Sequence, residues 1–177
     1  MAALCKKYEV ETDGLKYLIP VTERIKTFED ALNELGESNI LVRQYRAIVD
    51  ADDELELDCN DGKDVIALLK LRIICTALNE GWTPKFTTDE YRYYPYFVFY
   101  TQSEIDEMDE EDRSRVLGRS YNYANAYAGV AYSGTNYASV SSHTSCGARL
   151  CFFKRELAVY AGKQFLKEWS DLIMFTK

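Results

Sequence analysis

Between Asp61 and Tyr100 the hydrophobic pattern changes period, and that change limits the folds open to this chain. From Asp61 to Glu80, the side chains Val65, Leu68, Leu69, Ile73, Ala77 and Leu78 recur at helical spacing and make one broad apolar face. Gly81 stops the helix and Trp82-Thr83-Pro84 leads away from it. The stretch Tyr91–Tyr100 then reads YRYYPYFVFY, dense in aromatic and β-branched residues, which predicts a strand. Pro95 inside it cannot donate to a sheet ladder, so an edge position or a bulge is expected there.

Upstream, Thr27 and Asp30 have the spacing of a capping box, with Asp where Glu or Gln is usual. Phe28, Ala31, Leu32 and Leu35 follow at helical spacing, and Gly36 suits the position just past a helix end. Ile40 to Val49 predicts a second helix, and Asp50–Asp61 reads as an acidic loop. Downstream, Ser103 is expected to cap an acidic helical turn over Glu104–Arg113. Arg149–Phe153 is expected to be a strand. The chain closes with an amphipathic helix over Arg155–Phe175, whose inner face is Leu157, Ala161, Phe165, Trp169 and Leu172.

Helices, then strands, then a helix predict an α+β fold, a small antiparallel sheet packed against two or three helices. Residues 1–25 read as an N-terminal arm, with Tyr17-Leu18-Ile19 as a short strand ended by Pro20. Residues 26–177 read as a single α+β domain with a display segment at 118–148. A chain of 177 residues is long enough for one such core. Its net charge of −8 argues against sequence-independent nucleic-acid binding and against adhesion to an anionic membrane. The N-terminus has no apolar signal region and no stretch is long enough to span a bilayer. The expectation is synthesis in the cytoplasm without a signal peptide, and no membrane insertion.

The display segment carries no charged side chain from Ser120 to Ala148. It is built almost wholly from Tyr, Ser, Ala, Asn and Gly. Binding loops use that palette: Tyr gives rigid contact area with few rotors, and Ser, Gly and Asn give adaptable hydrogen bonds. Recognition is the reading taken. A plain hairpin with small residues packed inside is the competing one, and low complexity is a third. The candidate ligand-binding residues are Tyr121, Tyr123, Tyr127, Tyr132, Asn136, Tyr137, His143 and Arg149. Arg149 could hold a ligand carboxylate, or could instead serve local backbone.

Catalytic and metal signals are weak. No phosphate loop, dinucleotide fingerprint, zinc-protease motif or nucleophile elbow occurs. The five cysteines are an odd set without close pairs, and His143 is the one histidine, so a structural zinc site is not indicated and free thiols are expected. Asp58-Cys59-Asn60-Asp61-Gly62 hints at calcium. With Gly62 at the turn position, however, Leu57 and Leu68 fall where carboxylates belong. The Glu104–Asp112 carboxylates read as a solvated helix face, and His143 with Cys146 lacks the third group that a nucleophilic pair requires. No cofactor, no metal and no enzymatic activity are expected.

The closing stretch GARLCFFKRELAVYAGKQF resembles a family of uncharacterised proteins of gut bacteria and their phages. Gly147, Arg149 to Phe152, Arg155 to Ala158, Tyr160 to Lys163 and Phe165 match its pattern, and Phe153 departs from it. Thr27-Phe28-Glu29-Asp30-Ala31, Ala77-Leu78-Asn79-Glu80-Gly81-Trp82 and Tyr93-Tyr94-Pro95 resemble its other landmarks. Gly147-Ala148-Arg149-Leu150 also resembles the short strand that follows the variable stretch in retroelement-diversified phage and bacterial proteins, which implies a C-type-lectin-like scaffold. Diversified positions in that group exclude Lys, Glu, Gln, Met and Trp, none of which occurs from Ser120 to Ala148. These resemblances imply a non-enzymatic, phage-encoded binding protein on the virion surface, an adhesin or capsid decoration. Its partners would be a host-cell surface or host protein ligand, and other virion proteins through residues 1–25. Copy number would multiply weak sites, implying a homo-oligomer. An intracellular prophage accessory protein that binds a host protein is the alternative.

Overall fold

The computed structural model describes residues 9–12, 15–51, 60–85, 87–118, 127–138 and 148–174. Its elements are a hairpin of β1 (Glu9–Thr12) and β2 (Leu15–Leu18), then helices α1 (Val21–Arg24), α2 (Phe28–Leu35), α3 (Ile40–Asp50) and α4 (Asn60–Leu78). Strand β3 (Arg92–Thr101) follows, then short helices α5 (Gln102–Glu107) and α6 (Glu110–Ser114), strand β4 (Leu117–Gly118) and strand β5 (Tyr127–Ala138). A 3-10 turn at Ala148–Leu150 leads to α7 (Arg155–Gln164) and α8 (Leu166–Ile173). The sheet is antiparallel in the order β3-β5-β4. The fold is α+β, as expected.

Local signals hold where expected. Thr27 and Asp30 form a reciprocal capping box, with the Thr27 hydroxyl accepting from the Asp30 N–H at 3.1 Å and the Asp30 carboxylate accepting from the Thr27 N–H at 2.9 Å. Gly36, at φ 76°, ends α2, and Gly81, at φ 84°, follows α4. The first turn after β3 is capped by Thr101 with Glu104, not by Ser103, and Asp109 caps a separate helix. Pro95 sits on the outer strand of the sheet. Tyr93 exchanges both backbone bonds with Phe152 on the side away from β5. Pro95, two residues on, turns its ring nitrogen to that same outer side, where no ladder bond is required.

The core lies between α4, the sheet and the two closing helices. Leu71, Ile73, Ile74, Cys75, Ala77 and Leu78 are all fully buried, so the second half of α4 is enclosed on nearly every side. The expected single face is therefore corrected: Val65 and Leu68 are exposed, whereas Leu71 and Ile74 are core. Helices α2, α3 and α8 pack around this one helix, which removes the need for a polar side. The closing helix is two helices broken at Phe165, but of its expected inner face Leu157, Ala161, Phe165 and Trp169 are buried and Leu172 is partly buried.

The arm ends earlier than residue 25. Ile25 is fully buried in the core, and Arg24 bridges Glu34 and Glu80, joining α1 to the ends of α2 and α4. The Tyr160 hydroxyl and the Gln164 amide donate to the carbonyls of Ile25 and Lys26, at 2.6 and 2.7 Å. Among the described residues no helix is long and apolar enough to cross a membrane.

Candidate functional site

The described part of the Tyr/Ser segment is not a loop. Tyr127–Ala138 is the central strand of the sheet, paired with β3 along its length and with β4 at one end. Small residues explain how it fits there. A Cβ on Gly129 would lie 2.5 Å from Val116 Cγ1 and 2.9 Å from Ile105 Cδ1, so only glycine lets α5 and β4 close on the strand. The competing hairpin reading thus applies to this part of the segment. Tyr121, Tyr123 and His143 lie outside the described residues, as does Cys146, and Tyr127 is described only as a strand position paired with Thr101.

The two tyrosines whose side chains are described behave differently. Between Tyr96 and Phe97 the register shifts, leaving Ser133 as an extra residue on β5. That bulge sets Tyr132, opposite Phe97, and Tyr137, opposite Tyr93, on the same face of the sheet. Tyr132 is half-buried. Its ring stands edge-on to Phe97 at 6.3 Å, its hydroxyl bonds Thr135 Oγ1 at 2.7 Å, and the Lys163 ammonium lies 5.7 Å from its centre. Gly162 of α7 presses on the ring, so a Cβ there would overlap it. Tyr132 is therefore held by packing on one side, and it also lines a cleft with Ser114, Arg115 and Lys163.

Tyr137 is 61% exposed and meets Tyr91, 51% exposed, edge to face at 5.3 Å. Tyr93 completes a row at 6.4 Å from Tyr137. Asn136 is exposed on the opposite face, with its side-chain oxygen accepting from the Tyr137 N–H at 2.8 Å. Tyr91 and Tyr96, the latter 59% exposed, were legible in the sequence only as strand residues. Tyr91 sits outside the charge-free segment, yet its partner comes from within it.

Arg149 lies elsewhere, on the 3-10 turn that replaces the expected strand. It lines a cleft of about 470 Å³ with Arg72, Asn79, Trp82, Pro84 and Cys151. Asn79 is buried and holds the far chain in place: its Nδ2 donates to the Cys151 carbonyl at 2.8 Å, and its Oδ1 accepts from the Phe153 N–H at 3.2 Å. Burial pushes the Cys151 thiol up to about 11, against a smaller opposing effect of Arg92. Cys75 and Cys151 are both buried. Asn60, Asp61 and Gly62 belong to α4, and among the described residues no group of three or more His, Cys, Asp or Glu could hold a metal ion.

No protein-family model, curated protein or solved structure matches the chain. The α+β architecture accordingly stands on its own, and nothing extends it to a C-type-lectin-like scaffold.

Proposed function

We propose that this chain is a non-enzymatic binding protein whose recognition surface is the tyrosine-rich end of the sheet. The observation that carries the reading is the Tyr91–Tyr137 pair, two large, mostly exposed rings held edge to face, one of them from within the charge-free segment. Tyr137 stands on a paired strand and Tyr91 directly precedes one, so little entropy is lost when a partner covers the rings. The proposed setting is a phage-encoded virion-surface adhesin or capsid decoration that meets a host-cell surface.

The test is made on phage particles from the strain that carries the gene. Antibody to this chain should label intact particles, and particles carrying Tyr91→Ser with Tyr137→Ser should adsorb to host cells at least about tenfold less, since an aromatic hot spot is worth about 2 kcal/mol or more. Particles free of the chain, with the protein present in infected cells, would refute the virion role and favour the prophage accessory protein. Unchanged adsorption by the double variant would refute the tyrosine surface.

A further inference from the structure

The cleft beside Arg149 gathers two positive charges, and its described lining holds no acid. Arg72 comes from the middle of α4 and Arg149 from the 3-10 turn, and among the described residues no carboxylate lines the cleft they share. Neither guanidinium has an ion pair among the described residues, in a chain whose net charge is −8. Burial, and after it the Arg149 charge, push the Arg72 guanidinium's pKa down, so the two groups feel one another. A folded protein keeps two like charges facing one cleft at a cost that a bound anion would relieve.

The remaining walls narrow the choice of anion. Trp82 stands on one side, tilted against Phe153 at 5.9 Å, and Pro84 follows it. The floor is the buried pair Asn79 and Cys151. Gly81, at φ 84°, turns the chain so that the Trp82 N–H reaches back to the Asn79 carbonyl at 2.9 Å, which fixes the tryptophan over the helix end. A volume of about 470 Å³ suits a small molecule, and an aromatic wall with a few convergent polar groups is the usual make-up of such a site. A monocarboxylate would answer only one arginine. A phosphate monoester carries close to two negative charges at neutral pH and offers several acceptor oxygens to forked guanidinium donors.

We propose that this cleft binds a small phosphate monoester bearing a planar ring, with Arg72 and Arg149 on the phosphate and Trp82 against the ring. The site is separate from the tyrosine surface, and the two fail independently. Phenyl phosphate is the minimal probe, with inorganic phosphate and phenol as its two halves, titrated by calorimetry into the full chain. Phenyl phosphate should bind saturably and lose affinity as salt rises. Binding should fall about tenfold or more in Arg149→Gln and in Arg72→Gln, the worth of one charge-assisted hydrogen bond. Tyr91→Ser with Tyr137→Ser should leave it unchanged. No saturable binding of phenyl phosphate, or binding by both arginine variants equal to that of wild type, would overturn the site. Equal affinity for inorganic phosphate would overturn the role of Trp82 and with it the ligand class. Arg149 is exposed on a turn, so its variant keeps the test open if Arg72→Gln folds poorly.

Discussion

Replacing Tyr132 and Tyr137 by serine, one at a time, separates packing from display within a single strand. Both substitutions sacrifice a tyrosine's β-propensity, at most about 1 kcal/mol, so the difference between them reports side-chain environment. Tyr132 loses half of a large aromatic burial, an edge-on contact with Phe97, a hydroxyl bond to Thr135 and the Lys163 cation over its face. A fully buried aromatic costs about 3–5 kcal/mol on truncation, so a half-buried one with these contacts should cost about 2 kcal/mol more than its exposed neighbour. For a chain of this length that is roughly 4–8 °C in melting temperature. Tyr137, 61% exposed with one ring contact of consequence, should fall within about 1 kcal/mol of wild type. Thermal and urea unfolding followed by circular dichroism measure both. Equal losses at the two positions would refute the contrast between a packed Tyr132 and an exposed Tyr137.

Three further outcomes follow from the same packing. Trp169→Ala removes a fully buried indole in contact with Phe97 at 5.5 Å, and should destabilise the fold by about 3–5 kcal/mol; an unchanged melting temperature would make α8 an appendage. Gly162→Ala, which in an exposed helix would stabilise by nearly 1 kcal/mol, should instead destabilise by about 1–3 kcal/mol, because the new methyl meets the Tyr132 ring and Pro95. Combining it with Tyr132→Ser should recover part of that loss, and a strictly additive double variant would contradict the contact. Finally, the Cys151 thiol stays protonated to about pH 11 in the fold, whereas an unfolded thiol ionises near pH 9. Its contribution is intact below about pH 9 and is lost as pH rises toward 11, since there the unfolded state holds fewer protons. Urea titrations of wild type and Cys151→Ala across that range should diverge in slope, and parallel curves would rule the effect out.

Several features of this protein are written in a few neighbouring residues. The Thr27–Asp30 box, the stop at Gly81 and the edge placement of Pro95 depend on hydrogen bonds and dihedral limits that act within about one turn of chain, so the sequence alone declares them. The closing stripe of Leu157, Ala161, Phe165, Trp169 and Leu172 is similarly local in its spacing, and the first four side chains are buried while Leu172 is partly so. What neighbours cannot declare is which surface another element will cover. Val65 and Leu68 look as apolar as Leu71 and Ile74, but the packing of the fold leaves the first two exposed and buries the others. Tyr132 and Tyr137 differ by an odd number of positions, which a regular strand would put on opposite faces. The bulge at Ser133 brings them to one face, and Gly162 then presses on the first and leaves the second in solvent. Arg72 and Arg149 stand far apart in sequence, and they share a cleft because Asn79 ties the end of α4 to the chain at Cys151 and Phe153. Local rules fix conformation because they close within a turn. Burial and the convergence of charges are long-range sums over elements, and only their packing in space determines them.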